Sequence, residues 1–246
     1  PNAIKVFDEV LKPQGIRPAA IRIDSGDITY LSKKCRKLLD EAGYSDCKIL
    51  VSNSLDEYII RDVLNQGAEI DSFGVGERLI TAKSEPVFGG VYKLVAVEDN
   101  SGDIIPRIKI SENEEKITNP GFKKVYRLFD KDSHAALVDL IALSDEEINL
   151  NEDLEVFDPI HVWKRKTIKN YYARELLIQV FDKGNLVYNS PSVMDIRKFA
   201  LEESTKLWSE TLRFENPHTY YVDLSDGLWN LKHNLLHRYS NIYKLY

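Results

Sequence analysis

The chain has 246 residues, of which 43% are hydrophobic and 29% are charged, which is the composition of a folded globular protein and excludes disorder. Its 33 basic and 39 acidic side chains give a formal net charge of −6, which argues against nucleic acid as a partner. The two cysteines, Cys35 and Cys47, lack metal-ligand spacing and are too few for a disulfide framework, so we expect a reducing compartment.

The sequence predicts no membrane contact. It contains no run of about 18 apolar residues, and the charged residues among the first twenty positions are not those of a signal peptide. We therefore expect a cytoplasmic protein. The chain starts at Pro1 and its single methionine is Met194, which indicates that more sequence precedes it.

The first part of the chain repeats a strand–turn–helix pattern. A β-branched run at 19–24 leads into helical spacing over 28–42, and a second run at 48–51 leads into a helix that ends before Gly67. A third run at 69–73 turns at Gly74-Val75-Gly76 into a short helix. Such repetition is typical of a parallel sheet or a (β/α) barrel.

The two ends of this pattern suggest a barrel that is only partly contained in the chain. A helix carrying Ile4, Val6, Phe7 and Val10 precedes the first strand, as a crossover from an earlier strand would. After Gly89-Gly90 the pattern becomes β-rich and then helical. The predicted strands are 91–97, 104–110, 123–129 and 137–143, and the predicted helices are 192–214 and 224–239. We therefore predict barrel units in residues 1–100 and a β-rich and helical C-terminal region in residues 101–246.

Charged residues alternate with apolar ones in the first strand. Arg22 and Asp24 share a face between Ile21 and Ile23, although strands buried in a parallel barrel are normally apolar on both faces. An internal ion pair is one interpretation. We favour a functional one, because Asp24 lies at the carboxyl end of the strand, where barrel active sites are built.

The next two strands end in polar or glycine-rich turns as well. Ser52-Asn53 follows the second strand, and Gly74-Val75-Gly76 follows the third. A Gly-x-Gly turn at a helix start can close its backbone N–H groups on a phosphate, assisted by the positive end of the helix. A single Gly-x-Gly motif is more often only a tight turn. The interpretation as a phosphate-binding turn therefore depends on its position beside Arg22 and Asp24.

Five blocks of the chain resemble one enzyme family, nicotinate phosphoribosyltransferase. They are IRIDSGDITYLSKKCRKLLDEAG, ILVSNSLDEYIIRDVLNQGAEIDSFGVGERL, GGVYKLVAVE, PRIKISENEEKITNPG and KTIKNYYARELL. The resemblance is collinear over practically the whole chain and corresponds to the C-terminal half of the enzyme or somewhat more.

The resemblance implies a type II phosphoribosyltransferase barrel. Nicotinate would attack C1 of phosphoribosyl pyrophosphate to give nicotinate mononucleotide, with Mg²⁺ and with ATP as co-substrate. It also implies a homodimer and a partner segment, the N-terminal half of the enzyme. The alternatives are a related enzyme that uses nicotinamide and a mononucleotide-binding or phosphate-binding module without catalysis.

By the same resemblance, Arg22 and Asp24 are the catalytic residues. Arg22 would face the pyridine carboxylate or ring, and Asp24, next to Ser25, would hold ribose hydroxyls and stabilise positive charge at C1. The other substrate-binding residues would be Ser52 and Asn53 for the ribose phosphate, the Gly74-Val75-Gly76 turn for the 5′-phosphate, and Lys93 as a further phosphate contact.

Two departures from the family pattern limit what carries over. Glu77 stands where many members have threonine, so a hydroxyl contact to phosphate is not expected. The histidine that the family phosphorylates and the aromatic residue that stacks on the pyridine would lie upstream of Pro1. We therefore expect the 246 residues alone to be inactive.

Two further patterns are not interpreted as sites. His233 and His237 have metal-ligand spacing on a predicted helix but no intervening Glu, so we predict no metal site there. The basic-aromatic stretch from Lys164–Lys166 to Tyr171-Tyr172 is interpreted as β-structure, because the net acidic charge opposes nucleic-acid binding.

Overall fold

A computed structural model describes residues 1–87, 89–113, 116–149 and 151–243, without the side chains of 240–243. They form two compact units, Pro1–Gly90 and Val91–Tyr246. Both contain helices and strands, which confirms a mixed α/β fold. None of the helices in the described ranges is long and apolar enough to cross a membrane.

The first unit alternates strands and helices, as predicted. Its elements are α1 (Asn2–Val6), β1 (Ala20–Ile23), α2 (Ile28–Glu41), β2 (Lys48–Ser52), α3 (Glu57–Asn65), β3 (Ser72–Gly74) and α4 (Glu77–Ile80). Aspartate caps fix the starts of the two long helices. The Asp27 carboxylate accepts the N–H of Tyr30 at 2.8 Å, and that of Asp56 accepts the N–H of Ile59 at 2.9 Å.

The predicted N-terminal helix is present, but its geometry changes along its length. After α1 it continues as a π-helical turn, Phe7–Leu11, and then as a 3₁₀ turn, Lys12–Gln14. Pro13 has no N–H for the α-helical ladder, which accounts for the tightening of the last turn. Phe7 holds this segment on the unit by an edge-to-face contact with Tyr44, the ring centroids being 5.2 Å apart.

The three strands of the first unit form a parallel sheet in the order β1-β2-β3. One face is the core. Ile23, Ile49 and Val51 are buried there and pack on the helices. The alternate residues point to the opposite face, where Arg22 and Asp24 are exposed and Leu50 and Ser52 are half-buried. The sheet is therefore covered on one face within this unit, whereas parallel sheets are usually covered on both.

The second unit is built around a four-stranded mixed sheet. Its elements are β4 (Ala96–Glu98), β5 (Ile104–Pro106), β6 (Lys123–Asp130), β7 (Ala136–Leu143), β8 (Leu154–Phe157), β9 (Arg165–Ile168), β10 (Tyr171–Glu175), β11 (Phe181–Asp182), β12 (Asn185–Leu186), α5 (Val193–Ser204), β13 (Val222–Leu224) and α6 (Asp226–Tyr243). The main sheet has the order β10-β6-β7-β13, and β4-β5, β8-β9 and β11-β12 pair separately. The predicted β-structure around 164–172 is confirmed as β9 and β10.

Three predicted elements are too long. The strand predicted at 91–97 begins only at Ala96, because Val91 and Tyr92 are exposed and outside any ladder. The strand predicted at 104–110 ends at Pro106, with one further backbone bond beyond it from the N–H of Arg107 to the carbonyl of Val95 at 2.8 Å.

The helix predicted at 192–214 ends at Ser204. The chain is then tied to β7 by a 2.7 Å bond from the N–H of Ala136 to the carbonyl of Lys206. Trp208 next joins an aromatic cluster, with its ring centroid 5.6 Å from that of Tyr221. The apolar residues after Ser204, whose spacing had suggested a longer helix, therefore pack in tertiary contacts outside it.

Candidate functional site

The candidate site lies at the carboxyl edge of the β1-β2-β3 sheet. Asp24 immediately follows β1, Ser52 is the last residue of β2, and Gly74 is the last residue of β3. Ser52 and Gly74 are register partners, and Ile23 pairs with Val51 one step earlier. The carboxyl ends of the three strands, which were predicted from the sequence to lie on one rim, are therefore neighbours.

Three side chains at this edge form a closed hydrogen-bonded network. Arg22 donates from Nε to Ser52 Oγ at 2.8 Å and from Nη2 to Asp24 Oδ1 at 2.6 Å. The Ser52 hydroxyl donates to the same Asp24 oxygen at 2.6 Å. The side chains of Arg22 and Asp24 are 61% and 57% exposed. The ion pair considered from the sequence is thus present, but on an open surface rather than in an interior.

The network leaves donors and acceptors available. Within the described residues, Nη1 of Arg22 has no acceptor and Oδ2 of Asp24 has no donor. A guanidinium can bind a carboxylate through two N–H groups, and a carboxylate oxygen can accept from a sugar hydroxyl. The edge therefore presents a cation and an anion side by side, each held in position by Ser52.

The residue after Ser52 has an unusual backbone conformation. Asn53 has φ = 107° and Ser54 has φ = 49°, although neither is glycine. Such conformations cost free energy and cluster at binding sites, where the surrounding structure imposes them. The sequence analysis selected Asn53 from its position alone. This strain is an independent observation that points to the same turn.

Gly74 allows β3 to approach β2 closely. A Cβ at this position would lie 3.3 Å from the Cβ of Ser52. At Gly76 a Cβ would meet no atom within 4 Å, so sterics do not require glycine there. The N–H groups of Val75 and Gly76 donate to no acceptor in the described part of the chain. They are available to an external acceptor.

One element of the phosphate-turn prediction needs correction. The helix after the turn, α4, has four residues and carries Glu77 in its first position. So short a helix has few aligned peptide dipoles, and the glutamate opposes an anion at its start. Backbone N–H groups remain at this turn, but the helix end adds little positive charge.

The other two selected residues are placed differently. Ser25 is exposed in the turn after Asp24, next to Gly26, whose φ is 87°. A Cβ on Gly26 would come within 2.8 Å of the side chain of Leu31, so glycine fixes this turn. Lys93 is an exposed residue of the second unit. Its phosphate contact stays a prediction.

An ion pair that was not expected from the sequence supports the edge. Arg78, in α4, donates to the carboxylate of Asp56, the N-cap of α3. Hydrogen bonding from the N–H of Ile59 is the main cause that lowers the pKa of Asp56, and the bond from Arg78 lowers it further. The pair joins the helices that follow β2 and β3. The pairing could not be predicted from the sequence, since it depends on the strand order.

The histidine with metal-ligand spacing has a structural role. His233 Nδ1 lies 2.8 Å from the carbonyl oxygen of Trp229, and the two rings stack with centroids 3.7 Å apart. In the described ranges no three His, Cys, Asp or Glu side chains are close enough to hold a metal by themselves.

Comparison with known proteins shows which enzymes this chain is similar to. Residues 122–232 match the model of the nicotinate phosphoribosyltransferase C-terminal domain. A nicotinate phosphoribosyltransferase of Bacillus subtilis is 45% identical over 237 residues, covering 96% of this chain and 48% of that protein. One from Dictyostelium discoideum is 35% identical over 236 residues, covering 90% and 39%. The chain matches the C-terminal part of nicotinate phosphoribosyltransferases.

A solved structure agrees with this match. The crystal structure of human nicotinic acid phosphoribosyltransferase superimposes with a TM-score of 0.69 at 26% identity, covering 90% of this chain and 41% of that one. The resemblance inferred from the sequence blocks is confirmed. This chain spans about half the length of the curated nicotinate phosphoribosyltransferases that it matches, 48% of the bacterial protein.

Proposed function

We propose that this chain is the C-terminal part of an enzyme that makes nicotinate mononucleotide from nicotinate and phosphoribosyl pyrophosphate for NAD biosynthesis. The observation that carries the proposal is the Arg22–Ser52–Asp24 network at the carboxyl ends of parallel strands. The names of the matching relatives support it. We further propose that β1, β2 and β3 belong to a (β/α) barrel completed by other parts of the enzyme.

In this proposal Arg22 selects the acid substrate. Its guanidinium forms a charge-assisted pair with the nicotinate carboxylate, which an uncharged amide cannot equal. Ser52 holds Nε and Asp24 holds Nη2, so that Nη1 is left for the substrate. The guanidinium thereby orients the pyridine ring so that its nitrogen attacks C1.

Asp24 supports the reacting ribose. Bond formation between the pyridine nitrogen and C1 accompanies cleavage of the C1–oxygen bond, and pyrophosphate leaves with that electron pair. Positive charge develops at C1, and a fixed carboxylate stabilises it without any proton transfer. Asp24 Oδ1 is held by two hydrogen bonds, so its orientation is set before substrate binds. Asn53 and the N–H groups of the Gly74-Val75-Gly76 turn would contact the 5′-phosphate.

Mg²⁺, ATP and assembly are part of the proposal. Mg²⁺ is commonly held by one or two carboxylates together with substrate phosphates, so the single carboxylate of Asp24 is compatible with a metal that enters with phosphoribosyl pyrophosphate. We assign no ATP contact to the residues of this chain. The proposed setting is a cytoplasmic homodimer that includes the N-terminal part of the enzyme.

Arg22→Ala in the full-length enzyme tests the proposal. A charge-assisted hydrogen bond contributes about 1.5–3 kcal/mol, so the preference for nicotinate over nicotinamide should fall about tenfold or more. Steady-state kinetics with both substrates measure it, and the KM for phosphoribosyl pyrophosphate should change much less. Arg22→Lys should recover little, because a point charge does not reproduce the planar fork.

Arg17→Ala is the matched control. Arg17 is an exposed arginine of the same unit, paired with Asp46 at 2.5 Å and bonded to the carbonyl of Gly43, and it precedes β1 at the opposite end of the strand. This variant should keep the wild-type discrimination. Unchanged discrimination in Arg22→Ala would remove Arg22 from the specificity pocket, and a preference for nicotinamide in the wild type would favour the amide-using alternative.

A further inference from the structure

The second unit contains a cavity whose lining includes none of the residues of the candidate site. It has a volume of about 390 Å³ and lies between β7, β13 and the β8-β9 hairpin. Its inner wall is apolar. Val138, Val156 and Ile168 line it and are themselves buried in the core of this unit.

A carboxylic acid projects into this apolar wall. Asp223, in the middle of β13, is only 6% exposed and lines the cavity. Its register partner on β7 is Leu140, a core residue, so the carboxyl lies on the apolar face of the sheet. Among the described residues no donor bonds to this carboxyl, and no fully buried side-chain oxygen lacks a partner, so the Asp223 oxygens keep some access to the cavity. The carboxyl of Asp223 is therefore an acceptor at the cavity wall that has no donor among the described residues.

A second carboxylate stands at the cavity with its position already fixed. Asp158 accepts the N–H groups of Ile160 at 2.9 Å and His161 at 2.8 Å. These bonds lower the pKa of Asp158, so it is ionised at neutral pH. Burial, and secondly the charge of Asp158, raises the pKa of Asp223 to about 6. At neutral pH the cavity thus contains two negative charges.

The basic side chains at the cavity do not neutralise this pair. Arg165 is bound to Glu155 and lies over the ring of Phe157, with its guanidinium carbon 4.8 Å from the centroid. Lys164 and Lys166 are exposed to solvent at the mouth. A hydrated surface ammonium is screened, whereas a cation inside the cavity would meet Asp223 out of water.

We propose that this cavity is a binding site for a small organic cation, a protonated amine or amidine on an apolar or aromatic body. The cationic N–H groups pair with Asp223 and Asp158, and the body lies against Val138, Val156 and Ile168. The combination of an apolar pocket and few converging polar groups is typical of small-molecule sites. The inference does not depend on the proposed function, since none of these residues belongs to the candidate active site.

Benzylamine is a suitable probe, because it carries an ammonium on a small aromatic body. Titration of the full chain at pH 7.5, followed by NMR chemical shifts, should give saturable shifts at residues that line the cavity. Benzyl alcohol, similar in shape but uncharged, should bind about tenfold or more weakly, because it cannot form a charge-assisted hydrogen bond. Equal affinity for the two probes, or shifts that do not saturate, would overturn the proposal.

The Asp223→Asn variant identifies the group responsible. It removes the charge at nearly constant volume and should weaken benzylamine binding about tenfold or more. Asp182→Asn, at an exposed position of β11, makes the same change in net charge and should bind like the wild type. Loss of binding in both variants, or in neither, would contradict the assignment.

The pH dependence supplies a test that needs no variant. With a pKa of about 6, Asp223 is largely ionised at pH 7.5 and about one-tenth ionised at pH 5, so binding should weaken about tenfold across this range. Benzylamine should in turn lower the pKa of Asp223, as followed by carbon-13 NMR of the carboxyl. A pKa unchanged by saturating benzylamine would refute the proposal.

Other titratable groups at the cavity must be separated from Asp223. They are Asp158, His161, Lys164, Arg165, Lys166 and Tyr221. His161 has Nδ1 at 3.4 Å from Asp158 Oδ2, and its protonation would also weaken cation binding at low pH. The Asp223→Asn variant should therefore keep only a shallow pH dependence. A dependence as steep as in the wild type would assign the effect to His161 instead.

Discussion

At the scale of single residues, the network at the sheet edge combines exposure with fixed geometry. The Arg22 side chain is 61% exposed, and an exposed ion pair stabilises a fold by at most about 1 kcal/mol. The hydrogen bonds among Arg22, Ser52 and Asp24 are nevertheless short, and each side chain bonds to both of the others. The main physical effect of the network is therefore to orient Arg22 and Asp24. Variants in this network should therefore affect substrate handling far more than stability.

Ser52→Ala tests this distinction. Removing the hydroxyl breaks two of the three bonds of the network, so kcat/KM of the full-length enzyme should fall about tenfold, while the free energy of unfolding changes by less than about 1 kcal/mol. Ser45→Ala, at an exposed loop position, is the control and should alter neither quantity. A large loss of stability with normal turnover would show that the network is structural.

The backbone at Asn53 gives a second prediction. Because φ is 107°, Asn53→Gly should be more stable than Asn53→Ala by about 1 kcal/mol, measured by chemical denaturation. The same glycine variant should still lose activity if the asparagine amide contacts the 5′-phosphate. Equal stability of the two variants would mean that this turn is not strained.

Among the helices and strands, features that depend on neighbouring residues could be predicted from the sequence, whereas features that depend on distant contacts could not. The start of α2 at residue 28 could be predicted because Asp27 caps it within three residues, whereas the equivalent cap of α3 by Asp56 was not identified from the sequence. The parallel order β1-β2-β3 followed from the repeated pattern. The end of α5 could not be predicted, because the contacts that stop it, Ala136 to Lys206 and the cluster around Trp208, come from distant parts of the chain.

Contacts between distant parts of the chain also limited what could be predicted about the candidate site. Arg22, Asp24 and Ser52 could be placed on one edge from alternation and strand ends, but the bonds among them depend on register. The Arg78–Asp56 pair and the cavity at Asp223 join segments that are distant in sequence. No local pattern marked them.

An ion pair that joins α5 to the main sheet predicts a pH effect. Arg174 of β10 and Lys206 both donate to Glu203, and the Arg174 bond is the main cause that lowers the pKa of Glu203 to about 2. A carboxyl with a lowered pKa stabilises the fold above its unfolded value and loses that contribution as pH falls through the folded value. The stabilisation should be complete above about pH 5 and decline toward pH 2.

Glu203→Gln should therefore lower the free energy of unfolding at pH 7 by about 2 kcal/mol and by much less at pH 2.5. Chemical denaturation of the wild type and the variant at both pH values measures the difference. Glu202→Gln is the control, because Glu202 forms only an exposed pair with Lys198 at 3.8 Å. An identical loss at both pH values would mean that the Glu203 charge does not contribute.

At the scale of the whole molecule, the chain spans about half the length of its curated relatives. The sheet of the first unit is covered on one face, and its open face carries the Arg22–Ser52–Asp24 network. We expect the 246-residue chain alone to make no nicotinate mononucleotide and to show no nicotinate-dependent ATP hydrolysis, because the proposed phosphorylated histidine lies outside it. Assays of the purified chain beside the full-length enzyme measure both activities, and turnover by the chain alone would contradict the expectation.

The most direct test of the central claim is a crystal structure of the full-length enzyme with nicotinate mononucleotide. We expect the pyridine carboxylate within about 3 Å of the Arg22 guanidinium, with the ribose hydroxyls at hydrogen-bond distance from Asp24. The 5′-phosphate should lie at the Gly74-Val75-Gly76 turn. A nucleotide bound elsewhere, with the network of Arg22, Ser52 and Asp24 unchanged and out of contact, would contradict the account.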